Sequence, residues 1–110
     1  MENTASLSHR RICRALHELG IPVHRVGYRY LVQAIVCFLE DDGQCLTMVV
    51  YPALALRFGY GDWRPVEHAI RLVILHAWDN RLPGVWERYF PCARRCPSNK
   101  LFIATLAEFL

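Results

Sequence analysis

Lysine is nearly missing from this chain of 110 residues: twelve of its thirteen basic side chains are arginine, and Lys100 is the one ammonium. Positive charge is therefore presented as planar forks rather than as compact point charges. Long apolar runs are missing as well. The longest mostly apolar stretch, Leu31 to Leu39, is far too short to cross a bilayer. Met1 to Arg11 has no apolar core of the signal-peptide kind, so the protein is expected in the cytoplasm. No repeat, glycine-rich phosphate loop or low-complexity tract is present. No Ser/His/Asp or Cys/His pairing has a supporting context and no two carboxylates look convergent, so catalysis is not expected. Disorder is excluded by an apolar content of 54%.

The cysteines also lack a framework. Cys13, Cys37, Cys45, Cys92 and Cys96 form an odd set, expected to be reduced in a cytoplasmic chain. Cys13 and Cys37 fall among apolar residues and read as core fillers. Cys92 and Cys96 bracket Ala-Arg-Arg, but a zinc site wants four convergent ligands, and no metal or other cofactor is expected.

What is present fits one small helical domain over residues 1–110, with a flexible N-terminus at 1–7. Ser8 can cap a first helix running to Leu19, with Ile12, Ala15, Leu16 and Leu19 on one face and Gly20 as its stop. Ile21-Pro22-Val23 is extended. A second helix spans about Tyr28 to Glu40, with Leu31, Ala34, Ile35, Phe38 and Leu39 at helical spacing. Cys45 to Val50 is ambiguous on propensity and is assigned to helix for want of a partner strand. A further helix fits Pro83 to Phe90. Pro91 to Pro97 is a basic loop, and Ser98 caps a last helix from Asn99 to about Phe109. The expected fold is all-α, a compact domain of six or seven helices.

Tyr51 to Trp78 carries the functional signal. Pro52 suits the first turn of a short helix at about 52–58, Gly59-Tyr60-Gly61-Asp62 breaks it, and Pro65 opens a longer helix at about 64–80. Short helix, glycine-bearing turn and longer helix make the helix-turn-helix pattern, which sets a recognition helix in a DNA major groove. On the longer helix Val66, Ala69, Ile70, Val73, Ala77 and Trp78 form the expected buried stripe, and Arg64, Glu67, His68 and Arg71 the exposed first turns. The charge agrees with this placement. Residues 1–56 hold five Arg against five acids, whereas residues 57–100 hold seven Arg and Lys100 against Asp62, Glu67, Asp79 and Glu87.

Several strings, in order, carry a resemblance. They are His17-Glu18-Leu19-Gly20-Ile21-Pro22-Val23-His24, Gly27-Tyr28-Arg29-Tyr30-Leu31, Tyr51-Pro52, Val66-Glu67 with Ala69-Ile70-Arg71, Ala77-Trp78, and Pro97-Ser98-Asn99 with Phe102-Ile103-Ala104. The chain resembles, over about His17 to Leu110, the C-terminal DNA-binding effector domain of the response regulator that initiates sporulation (stage-zero sporulation protein A). That resemblance implies a compact all-α fold and a transcription regulator that reads a short box of double-stranded DNA. It also implies contact with the RNA polymerase sigma factor and a homodimer on tandem sites. The family's receiver domain is not among these residues. A standalone, constitutively competent paralogue or a fragment both fit, and the polar start after Met1 favours the standalone protein.

By the resemblance, Glu67 and Arg71 are base-contacting. His68 and Pro65 stand where the family has arginines, and the turn between Phe58 and Val66 is one residue longer. Arg64 is the candidate substitute, displaced by about 100° around the helix. Tyr60, Arg94, Arg95 and Lys100 are the candidate phosphate contacts. An arginine pairs with guanine through two hydrogen bonds worth roughly 1–3 kcal/mol of discrimination, whereas a histidine offers one. Recognition is therefore expected to be weakened or redirected.

Leu72 and Leu75 replace polar family residues. Exposed, they form an apolar ridge of the kind that meets protein; the preferred expectation is that the helix is turned to bury them. The remaining aromatic and imidazole groups read as scaffold: His17, His24, His76, Trp63, Trp78 and Trp86. Three functions follow in order of preference. They are sequence-specific DNA binding, a protein-interaction module on a helix-turn-helix scaffold, and a small thiol or metal protein built on Cys92 and Cys96.

Overall fold

The computed structural model describes residues 4–40 and 49–110, and every regular element among them is helical. The elements are α1 (Thr4–Glu18), α2 (Val26–Glu40), α3 (Tyr51–Arg57), α4 (Arg64–Asp79), a 3₁₀ turn at Trp86–Arg88, and α5 (Asn99–Phe109). The all-α expectation holds. The count is five α-helices among the described residues rather than six or seven. Cys45 to Met48 of the ambiguous stretch lie outside the described residues; Val49 and Val50 form a π-type turn running into α3.

Local chemistry explains most of the boundaries. Gly20 (φ +82°) and Gly59 (φ +83°) both take the left-handed conformation that a β-carbon disfavours. At Gly59 the chain closes α3 with two reversed bonds, from the Gly59 N–H to the Leu56 carbonyl (3.3 Å) and from the Tyr60 N–H to the Ala55 carbonyl (2.8 Å). The same pair ends α1, from Gly20 to His17 and from Ile21 to Leu16. Ser98 caps α5, its hydroxyl accepting from the Leu101 N–H at 3.1 Å.

Two boundaries differ from expectation. α1 begins at Thr4, four residues before the expected cap at Ser8. The helix expected over Pro83 to Phe90 is reduced to a 3₁₀ turn, because Gly84 at φ +86° interrupts the right-handed path directly after the proline.

α2 is the central element and packs against α1, α3, α4 and α5. Tyr30, Leu31, Val32, Ala34 and Ile35 of this helix are buried against Ile12 and Leu16 of α1, Leu54 of α3, Ile70 and Val73 of α4, and Phe102, Ile103 and Leu106 of α5. Each such large aliphatic side chain contributes roughly 1.5–3 kcal/mol on burial. The radius of gyration, 13.4 Å, matches the ~13 Å expected of a chain this long when compact.

α2 and α4 cross with their backbones in close approach. A β-carbon added at Gly27 would overlap the Ala69 carbonyl oxygen and lie 2.8 Å from its carbon and 2.9 Å from Val73 Cγ1. Gly27 therefore lets the backbones touch, and the crossing fixes one flank of α4.

Trp86 fastens the segment between α4 and α5. Its indole N–H donates to the Leu19 carbonyl at 3.0 Å, and its ring meets Trp78, Phe90 and Phe102. Of the three tryptophans read as scaffold, Trp86 is buried, Trp63 stacks on Tyr51, and Trp78 lies half-buried under the Arg81 guanidinium.

Candidate nucleic-acid interface

α3 and α4 are consecutive helices joined by the turn from Phe58 to Trp63. The N-terminal end of α4 is held by Asp62. One carboxylate oxygen accepts the Arg64 N–H at 3.1 Å, and the other pairs with Arg64 Nε at 2.7 Å. These bonds, led by the backbone one, hold the Asp62 carboxyl below its usual range. The turn is held from beneath, where the Tyr60 and Tyr30 hydroxyls share a hydrogen bond of 2.6 Å. Tyr60 keeps 38% exposure, but its hydroxyl is directed to the core rather than away from the tip. Burial, then the Tyr60 bond, pushes the Tyr30 phenol up to about 12.

On α4, Val66, Ile70, Val73, Ile74 and Ala77 are buried. The expected stripe is thus correct at four positions; Ala69 and Trp78 are half-buried at its edges, and Ile74 replaces them. Arg64 and His68 are exposed, Glu67 and Arg71 half-buried, and all four belong to the first two turns. Leu72 is 43% exposed and Leu75 half-buried. The helix has therefore not turned to bury Leu72. It cannot, because Gly27 locks Ala69 and Val73 against α2. His76, read as a packing residue, is exposed.

The other flank of α4 is held by the entrance to α5. The Asn99 side-chain amide donates to the Glu67 carbonyl (3.2 Å) and to the Tyr51 hydroxyl (3.3 Å). Asn99 is buried, and its Oδ1 has no hydrogen-bond partner among the described residues. One turn along α4, Arg71 donates through an NH1 proton to the Pro97 carbonyl at 2.6 Å. Burial pushes the Cys96 thiol up, and the Arg71 guanidinium beside it pulls the other way.

These bonds form a latch that no spacing rule in the sequence signalled. Asn99 and Pro97 are visible in the sequence only as parts of a matching string, and the carbonyls that accept from Asn99 and Arg71, those of Glu67 and Pro97, are main-chain atoms. The latch ties Pro97 and Asn99 to the flank of α4 that carries Glu67 and Arg71; Arg94 and Arg95, just before Pro97, and Lys100, just after Asn99, are exposed.

Ala69 on the Gly27 side and Glu67 on the latch side are two residues apart, about 200° around the helix. The face between them carries Arg64, His68, Leu72 and Leu75. Cys92 is exposed and Cys96 half-buried. Among the described residues no group of three His, Cys, Asp or Glu side chains is placed to hold a metal ion. No helix among them is long and apolar enough to cross a membrane.

A family model described as "Sporulation initiation factor Spo0A C terminal" matches residues 12–110, nearly the whole chain and every element that shapes α4 and its flanks. The chain belongs to this Spo0A C-terminal family, a family of DNA-binding effector domains of sporulation initiation.

Proposed function

We propose that α4 is a recognition helix that enters the major groove of duplex DNA, and that the protein is a sequence-specific transcription regulator of the sporulation-initiation type acting in the cytoplasm. Glu67 and Arg71 read base edges, Arg64 and His68 meet the adjoining bases, and Arg94, Arg95 and Lys100 meet phosphates beside them. Tyr60 contributes its ring edge near the backbone. The observation that carries this reading is the latch. Without it a loop holding two arginines would be free; with it their charge is fixed next to the helix that reads the groove.

Arg64 needs one further step. Its side chain is 76% exposed and paired with Asp62. An exposed pair of this kind is weak and screened by solvent, so phosphate or guanine can displace the carboxylate.

Selection of bound sequences from random duplex DNA tests the reading. The expected result is a recovered motif whose binding weakens steeply with salt. No enrichment at low salt overturns it.

A second reading has its own observation, the exposure of Leu72 on the same face as His68. Under it, Leu72 and Leu75 dock a sigma factor or a second family member, with DNA recognition reduced. Leu72→Ser separates the two, because it removes the apolar protein contact without adding a charge, which leaves the phosphate-driven salt slope intact.

A further inference from the structure

α3 carries a second surface, independent of the groove-facing side of α4. Tyr51, Leu54 and Ala55 point into the core. Val49, Ala53 and Leu56, spaced four and three residues apart, fall together on the outer side. Leu56 is 81% exposed, the most exposed large apolar side chain of the described residues; Val49 is 43% exposed and Ala53 is also exposed. From Val49 to Leu56 the chain has no charged residue with which to solvate this face. An apolar helix face left in water marks a contact site.

Arg57 adjoins this face, and Arg29 stands on α2 one turn before the Gln33 that Arg57 bonds. Arg57, the next residue, is exposed and donates through NH1 to Gln33 Oε1 at 3.0 Å. Arg29 is exposed, with its guanidinium carbon 5.8 Å from the centre of the Phe58 ring. An amide and an aromatic face hold these side chains in position without neutralising them, and neither pairs with a carboxylate among the described residues. Arg29 lies two residues from Gly27, about 200° around α2 from the α4 contact, so it faces away from the groove-facing helix.

We infer that this surface docks an acidic amphipathic segment of another protein, with an apolar side chain on Val49, Ala53 and Leu56 and carboxylates on Arg57 and Arg29. Two other occupants fit less well. Duplex phosphate would engage the arginines but leave Leu56 in water. A second copy meeting face to face would set Arg57 against a like charge.

The test uses the full chain and a synthetic amphipathic helix peptide with leucine at positions i, i+3, i+4 and i+7 and glutamate beside them; its counterpart carries lysine instead. Amide chemical shifts are followed during titration. The expected result is binding of the glutamate peptide alone, with shifts centred on Arg29, Val49, Ala53, Leu56 and Arg57. Leu56→Ser weakens it about tenfold or more. Reversing both arginines, Arg29→Glu with Arg57→Glu, transfers binding to the lysine peptide.

All three replaced side chains are exposed, so unchanged helix content and melting temperature confirm that the variants fold. DNA binding by Leu56→Ser, which changes no charge, stays at the wild-type level, which separates this surface from α4. Four outcomes overturn the inference. These are no binding of the glutamate peptide, equal binding of both peptides, self-association removed by Leu56→Ser, and displacement of the peptide by duplex DNA.

Discussion

Replacing Arg71 by alanine removes one bond that the fold makes and one that the proposed DNA reading needs, and the two losses differ in size and readout. The fold's bond runs from NH1 to the Pro97 carbonyl at 2.6 Å, in a half-buried setting. A charged donor on a neutral carbonyl there contributes about 1–2 kcal/mol, which lowers the melting temperature by roughly 4–8 °C. That bond uses one of the five guanidinium protons, and the edge formed by Nε and NH2 remains for guanine O6 and N7. Losing such a bidentate contact costs about 1–3 kcal/mol, or roughly 5- to 150-fold in affinity, on the matched duplex alone.

Fluorescence anisotropy on the selected duplex and on a scrambled one, at a temperature where both proteins are folded, reads the difference. Arg71→Lys completes the set. An ammonium keeps the charge and the salt slope but not the planar fork, so discrimination stays lost. If alanine weakens both duplexes by the same factor, Arg71 is a latch residue that reads no base, and the assignment of α4's first turns to base edges fails with it.

Gly27→Ala forces the Ala69 carbonyl away from α2 and is expected to cost about 1–3 kcal/mol or more in urea denaturation at an unchanged slope. Neutralising Arg94 and Arg95 together should lower the slope of log affinity against log salt by about 0.9 per lost phosphate contact, equally on matched and scrambled DNA. Tyr28 and Tyr30, both raised by burial first and then by a hydrogen bond to about 12 against an ordinary 10.0, stabilise the fold at any pH below 10. That contribution falls as pH rises from 10 to 12, because the unfolded chain loses protons that the folded chain keeps; Tyr30→Phe should make the decline shallower in alkaline denaturation.

The sequence showed where helices form better than it showed what faces them. Periodicity placed α2, α4 and α5 because each has an apolar stripe with a stop: Gly59 before α4, Ser98 before α5. It failed at Pro83, where a proline suited to a first turn is followed by Gly84 in a left-handed conformation, two residues before Trp86 anchors on Leu19. It failed at Leu72 for a related reason. Rotating α4 to bury a leucine is free on a helical wheel, but it is forbidden once Gly27 and the Ala69 carbonyl are in contact. An interior glycine in a helical pattern does signal close approach, yet only the fold shows to what. The latch was illegible because its acceptors are main-chain carbonyls of Pro97 and Glu67, which every sequence has.

The altered first turns of α4 form a coherent surface when the exposure of Leu72 is taken with them. The resemblance implies arginines where Pro65 and His68 stand; under the DNA reading, guanine contacts then fall mainly to Arg71, with Arg64 as a displaced second. The same side of the helix presents Leu72 at 43% exposure, one turn beyond His68. In a major groove an apolar side chain has one favourable neighbour among the base edges, the thymine methyl. Under the DNA reading, a proline and a histidine in place of arginines, and a leucine in place of a polar residue, therefore shift α4 from guanine contacts toward thymine contacts. The latch continues to set the phosphate contacts, which are indifferent to sequence. Replacing thymine by uracil in the selected motif, which deletes only that methyl, should weaken wild-type binding severalfold and leave Leu72→Ala unaffected. Equal weakening of both proteins would show that Leu72 does not face the bases.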